Sequence, residues 1–124
     1  MKTFIYVTTQ FEDLHCYPEA PEEVAFLRTP HRHMFHVKAT IEVTHLDREL
    51  EFILVKRELD RMCKEITQIL KPEIKSCERI ATRLARALSK KYGWIIDEFG
   101  QERARNMVVE VNEDGENGAK VISQ

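Results

Sequence analysis

The order of hydrophobic periods along the chain predicts an α+β fold, an antiparallel β-sheet with two antiparallel helices packed on one face. Three observations carry this. Apolar residues alternate with period two near both ends, recur with period 3.6 through the middle, and are separated by segments rich in turn residues. With 124 residues, of which 43% are hydrophobic and 32% charged, the chain reads as one domain, 1–124, large enough for a core.

The first strand is expected over residues 3–11, with Ile5, Val7 and Phe11 on the parity that later carries Asp13 and His15. Residues 16–30 hold three prolines and read as a surface excursion. The clearest strand follows. Phe35, Val37, Ala39, Ile41 and Val43 point one way, and His36, Lys38, Thr40 and Glu42 the other. THLDR supplies a turn that should expose His45, and ELEFILV is expected to return as a third strand. Leu59, Met62, Cys63, Ile66, Ile69 and Leu70 then form the stripe of a first helix. A second is expected to start at Pro72 and Glu73, bury Ile74, Cys77, Ile80, Ala81, Leu84 and Leu88, and stop at Gly93. Its Arg79, Arg83, Arg86 and Lys90 read as a solvated face. A loop through Trp94, a candidate subunit contact, and Gly100 precedes a strand with Met107, Val109, Val111 and Glu113 on one side. Asn117-Gly118 is read as the hairpin turn that returns the chain through AKVIS.

Composition narrows the function classes. A net charge of −2 does not point to nucleic acid or a membrane surface. The longest apolar runs fall well short of the roughly 18 residues of a membrane span. The apolar run after Lys2 alternates with threonines and lacks a small-residue cleavage site, so a strand is expected there rather than a secretion signal. Three widely spaced cysteines (Cys16, Cys63 and Cys77) argue for a reducing, cytoplasmic setting and against a disulfide framework.

Three of the five histidines crowd into TPHRHMFHV at 29–37. His31 and His33 are two apart, so in an extended strand both project from the same face. If residues 11–15 and 33–43 form a hairpin closed by the excursion, His15 lies at the same end, on the matching parity, while Cys16 faces away. Three imidazoles around a point with a fourth position open is the ligand set of a catalytic zinc. Solvent-wetted histidines, or histidines paired with Glu19, Glu22 and Glu23, fit the same pattern.

FEDLH, an excursion, and HRHMFHVKATIEV resemble the F-x-x-x-H … H-x-H core of the 6-pyruvoyltetrahydropterin and 6-carboxytetrahydropterin synthase family, the T-fold enzymes. SCERIA at 76–81 looks like the family's T-S-E-N-L-A helix start, and VEVNEDGENGA at 109–119 like its V-x-V-x-E-T-x-x-x-x-A closing strand. The resemblance implies a T-fold, a zinc ion on His15, His31 and His33, and Glu113 as the anchor of a pterin-like or purine-like ring. It also implies lyase-type chemistry and a homo-oligomer, a trimer or a hexamer of two stacked trimers.

The chain departs from the family where the chemistry is done. Leu27 stands at the position of the proton-abstracting cysteine, four residues before His31. The segment QILKPEIKSC replaces the one that carries the family's Asp-His pair, and Arg32 replaces the glycine of H-G-H. Cys16, Asp13 and His36 are the candidate replacement bases. Loss of the ligand's turnover, leaving a zinc- and ligand-binding protein or a structural oligomer, is the alternative. Arg28 and Arg32 beside the histidines suggest a phosphorylated ligand, since guanidinium suits phosphate oxygens. Pairing of these arginines with the acidic excursion is the other reading.

Overall fold

The computed structural model describes residues 1–123. Strand β1 (Thr3–His15) pairs antiparallel with β2 (His31–Val43) in unbroken register, from Thr3 opposite Val43 to His15 opposite His31. Residues 16–30 close this hairpin and contain a kinked 3-10 segment at Glu22–Arg28. Helix α1 (Phe52–Ile69) and helix α2 (Cys77–Tyr92) follow, then a small hairpin of β3 (Trp94–Ile96) and β4 (Glu102–Ala104). Strands β5 (Met107–Glu113) and β6 (Asn117–Ser123) complete a four-stranded antiparallel sheet of order β1-β2-β5-β6. The expected α+β class, with both helices on one face, is the architecture observed.

Directly opposed residues in an antiparallel pair share a face, and the register puts the odd-numbered residues of all four strands on the helix side. Phe35, Val37, Ala39 and Ile41 of β2, with Met107, Val109 and Val111 of β5, are almost fully buried there. Helix α1 covers β1, and α2 covers β5 and β6. They close the core with Val55, Leu59 and Ile66 from α1 and with Ile80, Leu84 and Leu88 from α2.

Four expectations are corrected. ELEFILV is not a strand: α1 begins at Phe52, with the Glu51 side chain accepting the Ile53 N–H at its N-terminus. Val55 joins Leu59 on the helical stripe, while Phe52, Ile53 and Leu54 stay exposed. The second helix starts later than expected. Pro72–Ile74 is a separate 3-10 turn, and α2 opens at Cys77 under the Ser76 hydroxyl, which accepts the Arg79 N–H at 3.2 Å. The Trp94 loop is the β3–β4 hairpin, with Ile95 buried and Trp94 exposed.

The last correction bears on the site. The β5–β6 turn is at Asp114-Gly115, both with positive φ (57° and 77°), and the Glu116 N–H bonds back to the Glu113 carbonyl. Asn117-Gly118 already belongs to β6. Gly118 serves a close approach instead: a Cβ there would collide with the Val111 carbonyl and with Asn112.

Candidate metal centre

The histidines gather because the register brings three odd-numbered positions to one end of the sheet. His15 and His31 face each other across β1–β2, and His33 lies one same-face step further, opposite Asp13. The ring centroids of His15 are 4.5 Å from those of His31 and 4.9 Å from those of His33, and His31 and His33 are 4.9 Å apart. One nitrogen from each lies within 4.8 Å of the others. Below them the Phe35 ring meets His15 edge-on at 5.4 Å and stacks on Phe11, so the cluster stands on an apolar floor.

Each imidazole has its Nδ1 side committed. His15 Nδ1 donates to the Lys75 carbonyl at 3.1 Å, His31 Nδ1 to the Thr29 carbonyl at 2.8 Å, and His33 Nδ1 to Asp114 Oδ2 at 2.6 Å. These partners only accept, so the ring protons sit on Nδ1 and the three Nε2 lone pairs are left as donors. His31 Nε2 is buried without a hydrogen-bond partner. Burial holds the His15 pKa below the ordinary histidine value, against the Lys75 hydrogen bond and the Glu113 charge that raise it. A neutral imidazole with Nδ1–H fixed by an acceptor is the form that binds metal. The three histidines can therefore hold a metal ion, and a buried polar atom without a partner is what such an ion would satisfy.

Glu113, the last core-facing residue of β5, borders the same point. Its Oε1 is 3.4 Å from His15 Nε2 and its Oε2 is 3.7 Å from His33 Nε2. The Cys77 thiol, at the start of α2, donates to Glu113 Oε1 at 3.9 Å. Burial, helped by the nearby Glu113 charge, pushes that thiol up to about 12, so it stays protonated. Among the described residues neither lysine nor arginine pairs with Glu113. Beside the cluster opens a depression of about 560 Å³, walled by the histidine end of the sheet, by Cys16, Tyr17 and Leu27 of the excursion, and by the first turn of α2.

The other sequence candidates lie as follows. Arg28 is held by the excursion itself, through the Ala20 carbonyl at 2.9 Å and Glu22 at 3.2 Å. Arg32 is even-numbered and lies on the sheet's other face, paired with Glu12 at 3.2 Å. His36 shares that outer face. Asp13 is on the histidine face, but its Oδ2 pairs with the buried Lys75 ammonium at 2.7 Å. Leu27, where the resemblance implies a base, lines the depression, as does Cys16.

Lys75 and Asp114 also belong to the site. Lys75 ties the turn after Pro72 to β1 twice, through Asp13 and through the carbonyl that orients His15. A backbone acceptor sixty residues away leaves no signature in sequence. Asp114 had one, as the first residue of an Asp-Gly dipeptide. No protein-family model matches the chain, and no curated protein matches it.

Proposed function

We propose that the chain is a zinc-dependent, tetrahydropterin synthase-like protein that holds a pterin-like or purine-like ring beside its three histidines. The observation that supports this most is the convergence of three Nε2 lone pairs whose Nδ1 protons are all committed elsewhere. Three imidazoles with an open position are the donor set of a catalytic rather than a structural zinc. The ligand class comes from the resemblance of FEDLH, HRHMFHV and VEVNE to the family.

In this reading each residue has a task. His15, His31 and His33 hold the ion. Bound there, zinc supplies Lewis acidity toward an oxygen of the ligand's side chain. Glu113 accepts two parallel N–H bonds from a 2-amino-4-oxo pyrimidine edge, which fixes the ring's orientation. Phe35 and Phe11 keep water from beneath the imidazoles. The free thiols of Cys16, Cys63 and Cys77 suit a reducing, cytoplasmic setting. The open edges of β1 and β6 suit assembly into a homo-oligomer.

A second reading, binding without turnover, is favoured by Leu27. It lines the depression where the family would carry its base, and a leucine moves no proton. Loss of a general base costs about 10²–10⁴-fold in rate.

Metal content and ligand binding test both readings. Tag-free protein is expected to carry near one zinc per chain by mass spectrometry, and a His33→Ala variant none. Pterin binding, followed by fluorescence, is expected to vanish in Glu113→Ala while the zinc remains. A folded, metal-free wild type would end the metal reading. Tight pterin binding with no product from dihydroneopterin triphosphate would decide for the binder over the lyase.

A further inference from the structure

The three Nδ1 acceptors differ in kind. His15 and His31 lean on backbone carbonyls, of Lys75 and Thr29, which no side-chain substitution removes. His33 leans on a carboxylate, Asp114, at the tip of the β5–β6 hairpin. The second oxygen of that carboxylate accepts the Met34 N–H at 2.9 Å, and the Asp114 N–H donates to the Met34 carbonyl at 2.7 Å. Asp114 is thus clamped to β2 by three bonds, at a φ of 57° that aspartate tolerates better than most residues.

We infer that Asp114 is a positioning residue of the metal centre: it fixes the tautomer of His33, so that Nε2 is always the free donor, and adds the second negative charge that suits the site to a divalent ion. The inference rests on the three-histidine reading above. The charge count supports it. Imidazoles bind a metal as neutral ligands, so Glu113 in front of them and Asp114 behind them are the two carboxylates whose charge the ion would balance. Carboxylate–histidine–metal chains of this form raise the basicity of the ligand ring and hold its orientation. The turn dipeptide Asp-Gly is therefore also part of the centre, and glycine at 115 lets the turn close without disturbing that carboxylate.

The discriminating variant is Asp114→Asn. The Met34 N–H needs an acceptor, so the amide oxygen takes the place of Oδ1, and the NH₂ group then faces His33 Nδ1. An N–H cannot accept, so the ring proton is driven to Nε2 and the metal-binding lone pair is lost. Two measurements on the full chain read this out. Long-range ¹H–¹⁵N NMR of metal-free protein reports each histidine's tautomer, and competition with a chromophoric chelator gives the zinc affinity. The expected result is a tautomer switch at His33 alone, His15 and His31 keeping Nδ1–H, with zinc bound about 10–100-fold more weakly. Asp114→Ala, which leaves Nδ1 to water, should weaken zinc binding less than Asp114→Asn. An unchanged His33 tautomer in Asp114→Asn, or equal losses in both variants, would make Asp114 a turn residue only and overturn the inference. A wild type that binds no zinc would instead remove the reading beneath it, and the tautomer measurement would still decide what Asp114 does to His33.

Discussion

The two ends of the sheet are built alike and end differently. Far from the histidines, Glu42 of β2 is 2% exposed and yet saturated. Arg103 grips it with two nitrogens at 2.9 and 2.8 Å, and Asn106 donates its backbone N–H at 3.2 Å and its side-chain amide at 3.0 Å. Beside it the buried Arg105 guanidinium reaches Glu49 and the carbonyls of Glu42, Tyr92 and Trp94. Every strong donor there meets an acceptor within the chain. At the histidine end the Nδ1 atoms are equally well satisfied, but the Nε2 atoms and Glu113 point at one another without a cation among the described residues. A buried polar cluster that closes on itself is scaffold. One whose outer half is satisfied and whose inner half is left open is shaped for something else to bind.

The strongest test of this contrast removes the scaffold's hub. Arg105→Met keeps the apolar stem but strands Glu49 and three carbonyls. Breaking a buried pair by deleting one partner costs about 3–5 kcal/mol, and denaturant titration should show a loss of that order. Zinc stoichiometry should be unaffected wherever the variant is still folded. A variant that folds as well as the wild type but loses zinc would invert the roles assigned to the two ends.

Acid should strike the same end next. The hydrogen bonds of Arg103 bring Glu42 from 4.5 to about 2, against the cost of its burial. For Glu49, burial pushes upward, but hydrogen bonds from Thr44 and then Arg105 outweigh it and also bring it to about 2. The unfolded chain takes up these protons near pH 4.5 and the folded chain only near pH 2. Stability is therefore full above about 4.5 and falls as the pH drops toward 2, by about 3 kcal/mol for Glu42 alone. Unfolding curves across that window should show the loss, and Glu42→Gln should remove about half of it, since Glu49 is shifted as far. A wild-type stability flat from pH 5 to pH 2 would contradict the assignment.

The histidine end should respond to metal where the other end cannot. Zinc at about 100 times its Kd should stabilise the folded chain by about 2.7 kcal/mol, seen as a rise in Tm that a chelator reverses. His31→Ala should be nearly as stable as the wild type without zinc and should gain nothing from it. An equal rise in the variant would mean that zinc binds elsewhere.

Much of the histidine end was legible in the sequence, because parity is a strict rule. His15, His31 and His33 share a side with Val37 and Ile41, and the excursion leaves the hairpin only one way to close. The same rule correctly put Glu113 on the inner face with Val109 and Val111. What escaped was decided by tertiary competition. ELEFILV alternates well enough for a strand, but its last four residues open α1, where Val55 joins Leu59 in the core. Two turn dipeptides, Asp-Gly and Asn-Gly, stand three residues apart. The chain uses the first because it sets Val111 opposite Ala119 and Val109 opposite Val121. Arg105 and Lys75 sit among ordinary charged surface residues in the sequence, and nothing local marks them as buried.

The smallest expected effect separates the two readings of the arginines beside the histidines. Arg32 lies between two metal-site residues in sequence and on the opposite face in space, where its pair with Glu12 is well exposed on both sides. Exposed pairs of this kind contribute about 0–1 kcal/mol. Arg32→Ala should therefore leave zinc content unchanged and shift the unfolding midpoint barely at all, and it should bind a pterin and its triphosphate with an unaltered ratio. A selective loss of the triphosphate would show that Arg32 reaches a ligand across the sheet edge, from a neighbouring copy of the chain. The face assignment within one chain would stand, but the site would have to be redrawn as shared between subunits.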